Sequence, residues 1–260
     1  MLLKFLTPDE VAAHIARDPR LIVPVGTTEQ HGPHLPLGCD TIIVERLADE
    51  LSAEFEVLRA PTIEYGVNAP TSLPFPGSAS VHRKTLHRML NDLVGAWEAG
   101  GIQQFIILTA HGADPHREAL STLHPKDATV RTVDIFAVPL PQADANAPIH
   151  GGEVDTSLMM FIDGGLVQLD QARDYFPPRG LARRYQRGGR GAIPRGSPGS
   201  LGRPSLASAE KGAQLYDYIY ERISTRVFLE PEAPSEQELP ALSEEAEAAE
   251  RPAAEGTESP

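Results

Sequence analysis

Four residues able to bind metal or move protons, Glu29, His31, His34 and Asp40, fall within one short stretch, PVGTTEQHGPHLPLGCD at positions 24 to 40. Carboxylates and imidazoles separated by Gly and Pro at the end of an apolar strand are suited to aiming metal ligands into a cleft. Glu29 and His31 lie two apart, so extended backbone puts both side chains on one face. Gly32, Pro33, Pro36 and Gly38 then interrupt regular structure, which lets the chain curl and return Asp40 to the same place. Asp40 opens a run with Ile42, Ile43, Leu47 and Leu51 at helical spacing, which predicts a helix with Asp40 as its N-cap. Taken singly, His31 and His34 read as loop histidines and Asp40 as a cap. The cluster as a whole favours a metal site.

Two later segments carry further donors. QQFIILTAHGADPH, residues 103 to 116, is a buried-strand pattern ending in His111 and Gly112, with Asp114 and Pro115 as the expected N-cap and first residue of a helix. HGGEVDTSLMMF, residues 150 to 161, places His150, Glu153 and Asp155 where a glycine-rich turn meets an apolar helical stretch. Open α/β sheets bind ligands beyond the carboxyl ends of their strands, so the three segments can converge there.

The elements that must position these residues alternate between strand and helix patterns. Thr7, Pro8 and Glu10 form a capping box that starts a helix through about Ala16. The strand LIVPVG follows, then the helix after Asp40, a strand over 57 to 65, and a loop over 68 to 80 holding FPGS at 75 to 78. Ser80 is the expected cap of a long helix with Val81, Leu86, Leu90, Leu93, Val94 and Trp97 as its apolar stripe, ending at Gly100 and Gly101. His82 and His87 on it read as surface residues. Strands near 103 to 109 and 129 to 137 complete a pattern that predicts an α/β fold, a three-layer α/β/α sandwich with a largely parallel central sheet.

On these residues the chain resembles the creatininase, or creatinine amidohydrolase, family of metal-dependent amide hydrolases. The family pattern runs PxGSxEQHGPHLPLxTD, FPGT, NGHGGN and HAGExETS, with a late glycine-rich segment before a final helix. Here the counterparts are PVGTTEQHGPHLPLGCD, FPGS, TAHGAD at 109 to 114, HGGEVDTS at 150 to 157 and RPSLASAEKG at 203 to 212. The resemblance implies that Glu29, Asp40 and His111 hold one metal and His31, Asp40 and Glu153 the other, with Asp40 bridging. It implies His150 as the catalytic histidine that passes a proton to the leaving nitrogen, beside Glu153 at the reacting centre. His34, Asp114 and Asp155 fall behind the ligands or face the substrate. Two divalent ions about 3.5 to 4 Å apart can activate a shared water and polarise a carbonyl. Oxygen and nitrogen donors without a thiolate suit Zn, Mn or Fe.

The expected activity is therefore hydrolysis of a C–N amide bond in a small molecule or short peptide. Within the family this includes a formylamide hydrolase or a cofactor-precursor peptidase. The alternative from another class is a non-catalytic metal-binding assembly or regulatory protein on the same fold. Departures narrow the substrate: creatininases carry NGHYEN and closing tryptophans, whereas Ala113 stands at the place of that metal-binding glutamate and Trp97 lies in a helical run. Creatinine itself is disfavoured.

Composition fits one enzyme domain over residues 1 to 228. The single cysteine, Cys39, excludes an intrachain disulfide, and its place beside Asp40 reads as packing rather than ligation. No apolar stretch approaches the roughly 20 residues of a membrane span, and the first residues lack a signal-type core. The expected location is cytoplasmic, without membrane contact. Residues 230 to 260 hold ten Glu and one Arg, so they carry −9 of the net −13. The stretch from 229 is rich in Pro, Ala and Glu, and is expected to be a disordered acidic tail. Residues 177 to 204 are rich in Arg, Gly and Pro. An RNA-binding reading is set aside because the rest of the chain is acidic and no aromatic platform beyond Tyr185 accompanies the arginines. A loop over the active site or at a subunit contact is preferred, the resemblance implying a homo-oligomer, a hexamer.

Overall fold

A computed structural model describes residues 1–68, 75–137, 140, 150–176 and 196–229. The first apolar run forms β1 (Arg20–Pro24), which pairs in parallel with β2 (Leu58–Arg59) on one side and β3 (Gln104–Thr109) on the other. β3 pairs in parallel with β4 (Thr129–Asp134), giving the order β2-β1-β3-β4. The strands alternate their side chains between two apolar cores, as a period of two requires. Ile22, Ile106 and Leu108 face a core shared with α2 (Cys39–Glu54), α5 (Glu153–Asp163) and α6 (Ala209–Ile223). Leu21, Val23, Phe105 and Ile107 face the opposite core, filled by α3 (Arg83–Ala99) and α4 (Asp114–Ser121). Helices therefore cover both faces of a parallel sheet, the expected three-layer α/β/α arrangement. Each fully buried Leu or Ile in these layers contributes about 1.5–3 kcal/mol of transfer free energy.

The chain order places a switch point at the middle of the sheet. β1 is followed by β2 on one side, and the chain then returns to build β3 and β4 on the other. The crevice beyond the carboxyl ends of β1 and β3 is where such a sheet binds ligands.

Some boundaries differ from the sequence reading. The capping box on α1 (Pro8–Ile15) is present, with Thr7 and Glu10 bonding reciprocally. α2 begins two residues early, with Gly38 as its N-cap, so Asp40 sits inside the first turn and its carboxylate serves other partners. α4 starts at Asp114 with Ala113 as N-cap, and α3 takes His82 rather than Ser80 as N-cap. The Ser80 hydroxyl instead accepts from the Asn68 amide, tying the preceding loop together. β2 stops at Arg59 because Pro61 lacks the donor a ladder needs, and the strand direction survives only as a bridge from Ile63 to Val25. β4 ends at Asp134, whose carboxylate accepts the Phe136 amide and turns the chain. Residues 230–260 and most of the Arg/Gly-rich stretch lie outside the described residues. No helix among the described residues is long and apolar enough to cross a membrane.

Candidate metal centre

The segment after β1 carries Glu29 and His31 into the crevice, the N-terminus of α2 supplies Asp40, and the end of β3 supplies His111. All four are buried. The two Asp40 oxygens are divided between the histidines: Oδ1 lies 3.1 Å from His31 Nε2, and Oδ2 lies 2.9 Å from His111 Nδ1. Glu29 Oε2 is 3.3 Å from the same His111 nitrogen. The Thr27 hydroxyl donates to Asp40 Oδ2 at 2.7 Å and orients the carboxylate from behind.

Each imidazole is aimed by its remote nitrogen. His31 Nδ1 donates to the Glu29 carbonyl at 3.1 Å, and His111 Nε2 donates to the Val67 carbonyl at 3.2 Å. A backbone carbonyl on one nitrogen, leaving the other directed at carboxylates, is the outer support typical of metal-binding histidine. Glu29, Asp40 and His111 each offer a ligand atom within 4.8 Å of the others. Such donors, two imidazoles and two carboxylates without a thiolate among those facing one another across Asp40, fit a divalent ion of the Zn, Mn or Fe kind.

The electrostatics favour positive charge at this point. Burial opposes protonation of His31, but the Asp40 charge and hydrogen bond outweigh it, with Asp155 and Glu29 adding, and the ring is raised to about 10. Burial likewise opposes protonation of His111, yet Glu29 and Asp40 raise it. Burial pushes Asp40 up, but the two imidazoles hold it well below the usual carboxylate range. The field that holds protons on these rings attracts a cation in their place.

His150 stands at the rim of the cluster. Its ring lies 4.5 Å from that of His31, centroid to centroid, and it forms a group with Glu29 and His31 within 4.8 Å. Burial, followed by the neighbouring His31, lowers its pKa to about 4, so the ring is neutral near pH 7. Gly151, at φ +62°, lets the chain pass the His31 carbonyl, which a Cβ there would meet at 2.2 Å.

The remaining sequence candidates are placed less centrally. Glu153, at the start of α5, bonds the Lys211 ammonium from α6 and is not in any three-residue donor group among the described residues. His34 Nε2 faces the Thr156 hydroxyl at 2.9 Å, and burial lowers that ring to about 4. Asp155 accepts the Gly151 amide at 2.7 Å, closing the turn after His150, and burial raises its carboxyl to about 6. Asp114 turns away to Arg117 at 2.9 Å on a half-exposed surface. Cys39 packs in the core with a raised pKa through burial, its sulfur within 4.8 Å of donor atoms of His31 and Asp40.

Gln30 belongs to the site although sequence reasoning passed over it. Alternation turns it away from the Glu29 and His31 face. Its Oε1 accepts the Gly32 amide, which fixes the carboxamide, and its Nε2 lies 2.9 Å from His150 Nε2 and donates to the Gly199 carbonyl at 3.1 Å. His150 Nε2 is thereby the acceptor. Thr27 and Lys211 were likewise unmarked; a polar residue at a strand end and one in the AEKG stretch were the available signals.

Residues 4–227 match the family model Creatininase, described as creatinine amidohydrolase. A mycofactocin precursor peptide peptidase of Mycolicibacterium smegmatis is 28% identical over 217 residues, covering 80% of this chain and 84% of the relative. Creatinine amidohydrolase of Pseudomonas putida is 25% identical over 250 residues, covering 85% and 94%. Among solved structures, a manganese creatininase superposes with a TM-score of 0.70 at 23% identity, covering 86% of this chain and 95% of that one. The chain belongs to the creatininase family, whose members are hydrolases acting on amide bonds.

Proposed function

We propose that this protein is a metal-dependent amidohydrolase that cleaves a C–N amide bond of a small molecule or short peptide, with two divalent ions held around Asp40. The division of the two Asp40 oxygens between His31 and His111 carries the reading, because a carboxylate so placed can serve two ions at once. Glu29, Asp40 and His111 would hold one ion; His31, Asp40 and Glu153 would hold the other. Glu153 would serve that ion only once freed from Lys211, to which it is bonded here. When bound, such a pair lowers the pKa of a shared water and polarises the amide carbonyl. Zn and Mn forms are known by name among structurally similar creatininases, and the donor set accommodates either.

His150 supplies the proton transfer. Kept neutral by burial, with Nε2 accepting from Gln30, it carries its proton on Nδ1 and would pass that proton to the leaving amine. Nε2 would then take up the proton released by the attacking water as Gln30 gives way. Asp155 holds the turn that carries His150. Ala113 offers no carboxylate where creatininases place a metal-binding glutamate, which argues for a substrate other than creatinine. The relatives named mycofactocin precursor peptide peptidase support a peptide, rather than a small molecule, as the substrate.

The test is to purify the protein, measure bound Zn, Mn and Fe, and screen cyclic amides, formylamides and short peptides with and without chelator. Chelator-sensitive hydrolysis with bound metal is expected. A chain that binds no metal overturns the site, and metal without hydrolysis favours a binding or assembly role.

A further inference from the structure

His116, the third residue of α4, is completely buried against the back of the centre. Its ring meets His111 edge-on, at 5.0 Å between centroids and an interplanar angle of 89°. Nδ1 accepts the Val67 amide at 3.2 Å, and Nε2 faces the Thr109 hydroxyl at 3.1 Å. That hydroxyl also accepts the His111 amide at 3.2 Å. The carbonyl of Val67, whose amide His116 holds, is the acceptor for His111 Nε2.

We infer that His116 is a positioning residue for His111, acting through the backbone of Val67. Val67 lies in a loop outside the sheet, so no ladder fixes its carbonyl. The amide bonded to His116 ties one end of this residue while the carbonyl aims the ligand. An apolar side chain at 116 leaves the Val67 amide buried and unpaired, a cost the loop relieves by moving. The carbonyl moves with it, and His111 loses the hydrogen bond that presents Nδ1 to Glu29 and Asp40. The fit is close: a Cβ at Gly66 would lie 2.7 Å from His116 Nδ1 and 2.6 Å from the Thr27 methyl. Thr27, the donor to Asp40, lines the other side of the same tight space around Gly66.

This inference rests on the metal-site reading above, and the experiment separates the two. Full-length wild type, His116→Leu, His116→Asn and His116→Gln are stripped of metal, checked for folding, and titrated with Zn²⁺ alone against a chromophoric chelator. Wild type is expected to bind tightly. His116→Leu should lose about 10- to 100-fold in affinity, the scale for partners of a metal-binding histidine. His116→Asn should recover most of it, because a short amide oxygen can accept the Val67 amide where Nδ1 does. If the Leu variant does not fold, Asn against Gln decides: Asn should bind more tightly, since the longer amide reaches toward Thr109 instead. Folded His116→Leu with wild-type affinity, Asn no better than Leu, or Asn equal to Gln overturns the inference alone. Wild type that binds no Zn²⁺ overturns the metal site and the inference with it.

Discussion

Two buried ionic clusters, at the edge of the sheet and beyond its carboxyl end, satisfy their charges in opposite ways. At the edge, Arg59 of β2 is 1% exposed, hydrogen-bonds Glu45 at 2.9 Å and the Ala60 carbonyl at 3.1 Å, and ion-pairs with Asp49 at 2.8 Å. Its acidic partners are half in solvent, so one buried cation is matched outward and the cluster closes on itself. Beyond the carboxyl end, Glu29, His31, Asp40 and His111 are all buried and face one another. Their charges are matched inward, toward a point, and backbone carbonyls hold the rings so that they keep facing it. A structural ion cluster distributes its donors, whereas this one converges its acceptors. That contrast, rather than burial or charge alone, is what supports proposing the second as the metal site.

The largest expected effects come from breaking the convergence. Asp40→Asn should weaken both metal positions together, by more than the roughly 100-fold typical of outer partners, and abolish turnover. Glu29→Gln should mainly affect the position shared with His111. Elemental analysis and chelator competition read the two outcomes, and equal loss from both variants would contradict the bridging role of Asp40. Neither substitution should alter the Arg59 cluster.

His150 sharpens the comparison, since it stands between ligand and proton carrier. His150→Ala should lower kcat by about 10²- to 10⁴-fold, the scale of a positioned acid–base group, with metal content unchanged. Its grouping with Glu29 and His31 makes the contrary result informative. If metal is lost with activity, His150 is a ligand and the proton is carried elsewhere.

Much of this was legible in the residues. The period of two placed Glu29 and His31 on one face, and the glycine and proline breaks correctly brought Asp40 back beside them. The alternating patterns also predicted the parallel sheet with helices on both sides. The start of α2 was not legible, because a cap and a first-turn residue lie only two positions apart here, and tertiary partners at Thr27 and His31 decided between them. Gln30 and His116 were hidden for another reason. Their roles are contacts with Gly199, His150, Val67 and Thr109, and no periodicity encodes such pairings between distant segments. The partnership of Glu153 with Lys211 depends in the same way on how α6 packs against α5.

The smallest effect is expected at the edge cluster, where Glu45→Gln tests whether it is structural only. Burial raises the Glu45 pKa, but the hydrogen bonds from Arg59 and Thr62 outweigh it and leave it lowered. A carboxylate whose folded pKa is depressed contributes stability above its unfolded pKa of about 4.3 and loses it as pH falls through the folded value. At pH 7 the variant should therefore be less stable than wild type by about 1 kcal/mol, the upper end for a partly exposed pair. Leaving a buried charge with no partner costs about 3–5 kcal/mol, but Asp49 still ion-pairs with Arg59 in this variant. Urea unfolding at pH 7 and at successively lower pH should show the difference shrinking below about pH 4.3. Metal affinity should not change at any of these values. A loss of metal in Glu45→Gln would mean that the two clusters communicate through α2, which carries both Asp40 and Glu45, and the contrast between a closed cluster and a converging one would then fail.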